Sequence, residues 1–303
     1  MVNITHKSNS LRKAIAGAVV MVSSEDTIAA VREKRVPKGD VFEFAKVAAL
    51  FAIKKTSDVI PDCHPLPIEF AQVSFQINQL AIEIKVEVHT VYKTGVEVEA
   101  MHGASIAALT LYDMLKPIDK HIEIQSVKLL HKEGGKSDYT GKPGQIITAA
   151  VVVCSDTIYQ KKAEDKAGLA VIEKLKQFQI DTKQYEVIPD EADAIRQKIE
   201  AYTKEGIQLI LFAGGTGVSP RDITADTIKP LLDKELQGIM EQARSYGQNR
   251  MPYAMLSRSV AGIIKNSLVL TLPGSTKGAT EYLDALFPQV LHVFEVMDGK
   301  RHG

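Results

Sequence analysis

The sequence has no tryptophan, only two cysteines and no excess of charge of either sign. Cys63 and Cys154 form neither a disulfide framework nor a zinc-binding pattern, which favours a reducing compartment, so we expect a cytoplasmic protein. Lys plus Arg number 37, and Asp plus Glu also number 37. This balance argues against a surface that coats nucleic acid, and we expect no nucleic-acid partner.

Long apolar runs are also missing. No segment approaches the ~20 apolar residues that a membrane span requires, so no membrane association is predicted. Residues 14–22 follow Lys7, Arg12 and Lys13 and faintly resemble the apolar core of a signal peptide. The run is equally compatible with a buried strand, which is the interpretation that we prefer.

The length of 303 residues favours two domains over one. Hydrophobic residues make up 45% of the chain, enough to bury proper cores. Residues 133–145 contain Gly134, Gly135, Gly141 and Gly144, a composition typical of a flexible joint. We place the boundary at about 141–145, with domains over residues 1–140 and 145–303.

The first half predicts strands over residues 14–22, 68–77, 80–91 and 122–130, and helices over about 27–34, 41–55 and 100–115. Asp40 is expected to cap the second helix. The order strand, helix, strand, strand, helix, strand is that of a split βαβ, ferredoxin-like α+β domain.

A proline-bounded loop carries a histidine and a cysteine. Pro61, Pro65 and Pro67 flank Cys63 and His64, and proline restricts both its own φ and the residue before it. The loop should therefore be stiff and non-helical and should aim His64 in one direction. Taken alone, His64 could equally be a packed or surface histidine without a role.

Charged residues mark both ends of the long helix. Asp113 and Lys116 share a face of its last turn, where an exposed ion pair is the simpler interpretation. Glu97 and Glu99 lie near its start, where a solvated position is the simpler one. If the helix is continuous from Glu97, Asp113 lies about 24 Å away, at ~1.5 Å per residue. Either the glutamates lie on a bent segment before the helix, or the site joins two subunits of a symmetric dimer, which we favour.

Five sequence blocks in the first half resemble the cyclic pyranopterin monophosphate synthase (MoaC) family. They are Lys38-Gly39-Asp40-Val41, Cys63-His64-Pro65-Leu66, Gly95-Val96-Glu97-Val98-Glu99-Ala100, residues 107–114 and Gly134-Gly135-Lys136-Ser137. The resemblance implies conversion of 3′,8-cyclo-7,8-dihydro-GTP, a GTP-derived cyclic intermediate, to cyclic pyranopterin monophosphate and pyrophosphate.

The same resemblance implies which residues form the first site. The expected catalytic residues are Lys38, His64, Asp113 and Lys116, and the expected substrate-binding residues are Arg12, Cys63, Glu97, Glu99 and Lys132. Lysines suit a triphosphate, because a charge pair near 4 Å is worth about 4 kcal/mol at an effective dielectric of ~20. Ring opening and reclosure need proton transfers, for which we assign Lys116 and Asp113 as the acid/base couple.

The second half alternates strands and helices. Strands are predicted over residues 146–153, 185–188, 207–212 and 268–272, with helices over about 166–178, 192–204 and much of 276–296. This pattern is typical of a doubly wound α/β domain, whose ligands bind at the carboxyl ends of the strands. Polar residues follow each of these strands: Ser155 and Asp156, Asp190, Gly214–Gly217, and Ser275.

Residues 213–222 form a glycine-rich loop whose backbone N–H groups could face a phosphate. No Gly-Lys-Ser/Thr follows, so it is not a Walker loop. Ser219, Pro220 and Asp222 fit the N-cap, N1 and N3 positions of a helix. Asp222 could thus be only a capping carboxylate, and Asp190 only a turn or N-cap residue.

The set of motifs in the second half resembles the molybdopterin-binding MogA/MoaB family. It comprises Ser155-Asp156-Thr157, Asp165-Lys166-Ala167-Gly168, Ile188-Pro189-Asp190-Glu191, residues 214–224, residues 253–258 and Leu272-Pro273-Gly274. The resemblance implies adenylation of molybdopterin by Mg-ATP, with ATP as co-substrate and no bound organic cofactor. It also implies essential roles for Asp190 and Asp222, which are suited to Mg²⁺. The implied phosphate contacts are Gly214, Gly215, Thr216, Gly217, Ser257 and Ser275.

Together these features predict a fused enzyme with an early lyase and a late adenylyltransferase. Threefold symmetry suits both families, so a homo-oligomer, a hexamer or a trimer-based assembly, is expected. One alternative remains for the second half, a molybdopterin-binding or assembly module without catalysis. Another, for the protein as a whole, is a single nucleotide-sensing regulator with no turnover.

Overall fold

The computed structural model describes residues 1–135 and 146–299. The chain divides into two compact units, Met1–Tyr139 and Thr140–Gly303. The predicted boundary at 141–145 lies outside the described residues, as do Lys136 and Ser137 of the last block in the first half. Within the described residues, no helix is both long and apolar enough to cross a membrane.

The first unit contains four strands and the helices between them, in the predicted order. Residues 14–22 lie almost entirely in the first strand, so the strand interpretation is confirmed. The long helix begins three residues earlier than predicted. The elements are β1 (Ser10–Met21), α1 (Glu25–Arg32), α2 (Val41–Lys54), α3 (Thr56–Val59), β2 (Phe70–Asn78), β3 (Ala81–Tyr92), α4 (Glu97–Leu115) and β4 (Glu123–Glu133).

The four strands form one antiparallel sheet in the order β2-β3-β1-β4. β1 is central and pairs with β3 from Ser10 opposite Tyr92 to Met21 opposite Ala81. The strand predicted over residues 80–91 is β3, whose side chains alternate in burial, with Ile82 and Val86 fully buried. Side chains of α2 and α4 close the core over one face of the sheet.

Helix α2 begins as predicted. The Asp40 side chain accepts hydrogen bonds from the N–H groups of Phe42 and Glu43, at 3.1 and 3.3 Å. The apolar residues of the helix do not all lie on its buried face: Phe44 is 57% exposed and Phe51 66% exposed. The helix thus has a second apolar face that this unit does not cover.

The second unit is built from six strands and interleaved helices. Helix α7 has the predicted bounds, and the four predicted strands are present. The elements are β5 (Thr148–Cys154), α5 (Asp156–Tyr159), α6 (Ala167–Gln177), β6 (Asp181–Ile188), α7 (Ala192–Lys204), β7 (Leu209–Ala213), α8 (Thr224–Ile228), β8 (Lys234–Glu235), α9 (Gln237–Gln248), β9 (Ala261–Ile264), β10 (Ser267–Leu272), α10 (Thr276–Leu286) and α11 (His292–Met297).

The sheet of this unit is mixed, in the order β6-β5-β7-β10-β9-β8. The first four strands are parallel, whereas β9 and β8 add an antiparallel edge that the sequence pattern did not predict. β9 is only four residues long and includes Gly262, which weakens its strand signal. A Cβ on Gly262 would lie 2.4 Å from the Lys234 carbonyl oxygen, so close pairing with β8 requires glycine.

Helices cover both faces of this sheet, as the doubly wound prediction requires. Along β5, Val151 packs with side chains of α6, α9 and α10, whereas Val152 packs with side chains of α7 and α8. Both valines are fully buried. A strand that is buried on both faces has a continuous apolar sequence, and this is the pattern found in β5.

Candidate active sites

Helix α4 is continuous from Glu97 to Leu115. The expectation that the glutamates could lie on a bent segment before the helix is therefore wrong. Glu97 is the first helical residue, and Asp113 follows it by 16 residues, or about 24 Å along the axis. The predicted residues of the first site consequently divide between the two ends of one helix.

One cluster lies at the carboxyl end of α4. The Asp113 carboxylate accepts from Lys38 Nζ and from Lys116 Nζ, each at 2.7 Å. Hydrogen bonds from Lys116 and then Lys38 lower the pKa of Asp113 to about 2. The expected i, i+3 pair is present, but the sequence alone did not show that a second lysine joins it. Two cations on one carboxylate leave a net positive, half-exposed site that suits a phosphate.

The same contacts determine which groups of this cluster are protonated at neutral pH. The hydrogen bond that Lys116 donates to Asp113 raises the pKa of Lys116, so this lysine is an ammonium ion at neutral pH. Asp113 is ionised and is a weak base. The pair is therefore arranged to present the positive charge of Lys116 to a ligand.

A second cluster lies at the amino end of α4. Lys132 Nζ, on β4, is 3.4 Å from Glu97 Oε1. The Arg12 guanidinium, on β1, donates to the carbonyl oxygens of Gly134 and Tyr92 at 3.0 and 3.4 Å. A Cβ on Gly135 would lie 2.1 Å from Arg12 Nη1, so the chain wraps closely around this arginine.

Glu99 is the buried acid of this cluster, with 3% of its surface exposed. Burial raises its pKa. The Cys63 thiol donates to Glu99 Oε1 at 3.0 Å. Burial, and then the carboxylate, raise the pKa of Cys63 to about 12, so the thiol keeps its proton. Cys63 thus contacts another predicted site residue, an arrangement that its neighbourhood of prolines did not reveal.

His64 lies on the loop between α3 and β2, which is non-helical as predicted. Its Nε2 is 2.8 Å from the Val2 carbonyl oxygen. Among the described residues, no recorded hydrogen bond or ion pair joins His64 to Glu99 or Asp113. Within one chain, the nine predicted residues of the first half therefore do not converge on one pocket.

The second unit does bring its predicted residues together, at the carboxyl ends of its parallel strands. Asp156, after β5, and Asp190, after β6, each accept from the other's backbone N–H at 3.1 Å. The Gly214 N–H, after β7, donates to the Leu272 carbonyl oxygen at 3.1 Å. A Cβ on Gly274, after β10, would lie 3.3 Å from Gly214 Cα.

The loop after β7 requires glycine for two reasons. Gly214 and Gly215 have φ values of 106° and 61°. A Cβ on Gly214 would lie 2.2 Å from the Cys154 carbonyl oxygen, and a Cβ on Gly215 would lie 2.2 Å from Thr224 Oγ1. Within residues 1–135 and 146–299, no acceptor is recorded for the N–H groups of residues 215–218. Four consecutive donors of this kind are available to form a nest for an anion.

The predicted helix cap in this loop is wrong. The helix begins at Thr224 rather than Pro220, with Ile223 at its N-cap. Instead, Ser219 and Asp222 close a turn: Asp222 Oδ2 accepts from the Ser219 N–H at 2.8 Å, and the Asp222 N–H donates to the Ser219 carbonyl oxygen at 2.9 Å. Capping residues and turn residues are the same types, so sequence spacing does not separate the two outcomes.

Asp190 is not a helix cap either, because Glu191 occupies the N-cap of α7. The Oδ1 atom of Asp190 is buried and has no hydrogen-bond partner in the described residues, and burial raises the pKa of this carboxyl. The buried Oγ1 of Thr224 also lacks a partner there. Thr224 had no predicted role. Arg221 pairs with Asp156 at the rim of the site.

Two predicted phosphate contacts are serines with local partners. Ser275 Oγ caps α10 by accepting from the Gly278 N–H at 3.2 Å. Ser257 Oγ lies 2.9 Å from Ser259 Oγ. Each hydroxyl retains hydrogen-bonding capacity for a ligand.

These residues fit a magnesium ion held together with a bound phosphate. In the described part of the chain, no group of three His, Cys, Asp or Glu side chains forms a metal cluster. Mg²⁺ does not need one, because it commonly takes one or two carboxylates plus waters and substrate phosphates. The unpartnered Oδ1 of Asp190 is a suitable ligand, and the Asp222 carboxylate adds to the local negative charge.

Comparisons with known proteins agree with this division. Residues 1–135 match the model of the MoaC family, and residues 150–292 match that of the probable molybdopterin-binding domain. A molybdenum cofactor biosynthesis bifunctional protein of Chlorobaculum tepidum is 39% identical over 303 residues, which covers 100% of this chain and 96% of that protein. The chain belongs to this bifunctional family of molybdenum cofactor biosynthesis.

Relatives of the separate halves extend the comparison. A cyclic pyranopterin monophosphate synthase of Pelobacter propionicus is 47% identical over 148 residues, covering 48% of this chain and 92% of that protein. Among solved structures, this chain is similar to the crystal structure of the molybdopterin biosynthesis enzyme MoaB from Thermus thermophilus. The two sequences are 37% identical, the TM-score is 0.49, and the match covers 51% of this chain and 98% of that chain. The chain is an enzyme of molybdenum cofactor biosynthesis.

Proposed function

We propose that the first half converts 3′,8-cyclo-7,8-dihydro-GTP to cyclic pyranopterin monophosphate and pyrophosphate at a site shared by two chains. One observation carries this proposal. Asp113, Lys116 and Lys38 cluster at the carboxyl end of α4, whereas Glu97, Glu99 and Lys132 lie at its amino end. The carboxyl end has the Asp113–Lys116 couple and only the amino end has the buried acid Glu99, so neither end alone has all the groups that the reaction needs.

An apolar face lies between these two half-sites and supports dimerisation through the helices. On α4, Leu109 is 54% exposed and Val98 is 43% exposed. On the neighbouring helix α2, Phe44, Val47 and Phe51 are exposed as well. This number of exposed apolar side chains on two adjacent helices favours an interaction surface.

Twofold symmetry then completes the site. In an isologous interface, residue i of one chain faces residue j of the other, and j faces i. If two α4 helices cross near their midpoints in antiparallel fashion, the Glu97 end of each chain meets the Asp113 end of its partner. Two equivalent sites result, each with residues from both chains.

In such a site, Lys38, Lys132 and Arg12 bind the triphosphate, and Lys116 donates a proton during ring opening and reclosure. Asp113 holds both lysines in place. His64 borders the site from its loop. A hydroxyl oxygen of the substrate's sugar-derived part attacks the α-phosphorus and closes the cyclic phosphate, its proton passes to solvent, the bond from the α-phosphorus to the α–β bridging oxygen breaks, and pyrophosphate leaves.

The test for the first half is a product assay on the full chain. The purified protein is given the cyclised GTP intermediate, and the product is identified by mass. The wild type should form cyclic pyranopterin monophosphate and Lys116→Ala should form almost none, while Lys55→Ala, which changes an exposed lysine paired with Asp58, should behave as wild type. Normal turnover by Lys116→Ala would remove its assigned role.

We propose further that the second half adenylates molybdopterin with ATP. The N–H groups of residues 215–218 bind a phosphate, and Asp190 and Asp222 are the residues that would hold Mg²⁺, which would neutralise triphosphate charge. A molybdopterin phosphate oxygen attacks the α-phosphorus of ATP, the α–β bridging bond breaks, and pyrophosphate leaves. The unpartnered buried oxygen of Asp190 carries this proposal.

ATP-dependent pyrophosphate release in the presence of molybdopterin tests this reaction. Asp190→Ala should abolish release, whereas Asp193→Ala should not, because that acid is an exposed partner of Arg196 in the first turn of α7. If the wild type binds molybdopterin but releases no pyrophosphate, the second half is the non-catalytic binding module instead.

The free cysteines of both halves fit a reducing, cytoplasmic setting. We expect a hexamer, or another assembly based on trimers of the second half. Light scattering coupled to size-exclusion chromatography would measure the assembly mass, and a monomer at working concentration would rule out the shared site.

A further inference from the structure

We propose that Arg258 is a positioning residue of the second site, which sets the conformation of the glycine-rich loop so that its N–H groups face a ligand phosphate. This inference rests on the proposed anion-binding role of the loop. Neither the sequence motifs nor the comparisons give Arg258 a role.

Arg258 contacts the loop through both its backbone and its side chain. Its N–H donates to the Thr216 carbonyl oxygen at 2.8 Å, and its Nε donates to the Gly217 carbonyl oxygen at 2.6 Å. Its Nη2 donates to the Asp222 carbonyl oxygen. One residue thus holds three carbonyl groups of the segment that runs from the donor nest to the proposed metal ligand.

The carbonyl contacts determine where the amides point. In a trans peptide, the C=O and the following N–H point in opposite directions. Because the carbonyl groups of Thr216 and Gly217 are turned towards Arg258, the N–H groups of Gly217 and Val218 are turned away from it. These are two of the four loop donors without a recorded acceptor in the described residues.

Arg258 is itself held in place. Its Nη1 lies 2.8 Å from both carboxylate oxygens of Asp226, which is on α8. The planar guanidinium therefore binds the loop, the turn at Asp222 and helix α8 simultaneously. A lysine has one compact ammonium group and cannot reproduce this fork of donors.

A merely structural role makes a different prediction. If Arg258 only stabilised the fold, its removal would lower the melting temperature and leave ligand affinity of the folded protein unchanged. If it positions the loop, affinity falls in protein that is still folded. Small guanidinium compounds should then restore part of the affinity by occupying the vacated position.

The experiment is calorimetric titration of the full chain with ATP and, separately, with molybdopterin. The variants are Arg258→Ala and Arg258→Lys, with circular dichroism to confirm folding at the titration temperature. Arg196→Ala is the matched control, because it removes an exposed arginine from the same unit. Each Arg258 variant is titrated again with added methylguanidinium.

For a ligand whose phosphate the loop binds, affinity should fall about tenfold or more in Arg258→Ala, comparable to the loss of a charged hydrogen bond. Arg258→Lys should also bind weakly, Arg196→Ala should bind normally, and methylguanidinium should improve binding by Arg258→Ala. Normal affinity in folded Arg258→Ala or in Arg258→Lys would overturn the positioning role alone. Failure of the wild type to bind either ligand would overturn the anion site and this inference with it.

Discussion

The two halves of the chain distribute their charged residues in different ways. In the first, Glu97 and Asp113 are carried by one straight helix and lie at its opposite ends. In the second, Asp156 and Asp190 come from separate strands and exchange hydrogen bonds. The carboxyl ends of parallel strands lie at one edge of a sheet, so residues that follow different strands can meet there. Residues at the two ends of one helix are instead separated by the length of the helix. The difference predicts a site shared between chains in one half and a site within one chain in the other.

Subunit mixing gives the largest effect and the most direct test of this difference. Lys116→Ala and Lys132→Ala should each lower synthase activity by about 10²–10⁴-fold, the range for a lost acid/base or charge contribution. When the two variants are unfolded and refolded together, each mixed dimer regains one site with both lysines. Activity should return, as measured by product formation.

The second half is the control for mixing. Asp190→Ala and Ser257→Ala should not complement each other, because both residues belong to the same unit of one chain. Recovery in this pair, or no recovery in the lysine pair despite subunit exchange seen by native mass spectrometry, would contradict the comparison.

Gly215→Ala should damage only the second site. The residue has a φ of 61°, and a Cβ would lie 2.2 Å from Thr224 Oγ1, so the loop must move. Strain of this kind costs about 1–3 kcal/mol, and calorimetry should show weakened ATP binding while synthase activity persists.

Gly206→Ala introduces backbone strain at a glycine outside the glycine-rich loop, and so separates the effect of strain from the effect of a changed loop. Gly206 also has a positive φ, of 74°, but nothing lies within 4 Å of a Cβ there. This variant should lose some stability and keep its ATP affinity. Equal loss of binding in both glycine variants would argue against a specific role for the loop.

The buried acids Glu99 and Asp190 are a feature that the two sites share. Burial raises the pKa of both carboxyl groups in the folded state. The protonated carboxyl group is therefore compatible with folding, whereas the ionised carboxylate lowers the stability of the folded protein as pH rises through the raised pKa. Glu99→Gln and Asp190→Asn should therefore be more stable than the wild type near neutral pH, by about 1 kcal/mol. Thermal denaturation should show this gain fade below the ordinary pKa values of 4.5 and 3.8. A gain that is independent of pH would show that ionisation is not its cause.

Asp113 is the exposed counterpart and should have the smallest effect. Its pKa is lowered to about 2 from an ordinary value of 3.8, so its pairing favours folding above 3.8 and is lost as pH falls towards 2. Asp113→Asn should be slightly less stable than the wild type at neutral pH and equally stable near pH 2. Because the carboxylate is solvated, a large loss in thermal denaturation would indicate that it is buried in an assembly.

Local patterns predicted the elements well, and they failed where the same residue types suit two structures. The strand β3 came directly from sequence periodicity, and the Asp40 cap came from the residue type that precedes the helix. Ser219 and Asp222 fitted a helix cap but form a turn, because the two motifs use the same side chains. β9 escaped notice because four residues with a central glycine carry little strand signal.

Of the sites, the sequence indicated the residue types but not their grouping. It identified Asp113 and Lys116 as a pair, yet not that Lys38 would join them. It likewise gave no sign that Cys63 donates to Glu99 or that Arg258 holds the loop. These contacts join residues between 36 and 75 positions apart.

By itself, the sequence determined that this protein has two domains with different chemistry, because periodicity, glycine placement and family motifs are local properties. Only the tertiary structure decided that one set of charged residues converges within its unit while the other divides along α4. The physical reason is that side chains converge only where the fold brings the ends of different strands to one edge of a sheet. Which ends meet depends on strand order, and how far apart two residues of one helix lie depends on the continuity of that helix.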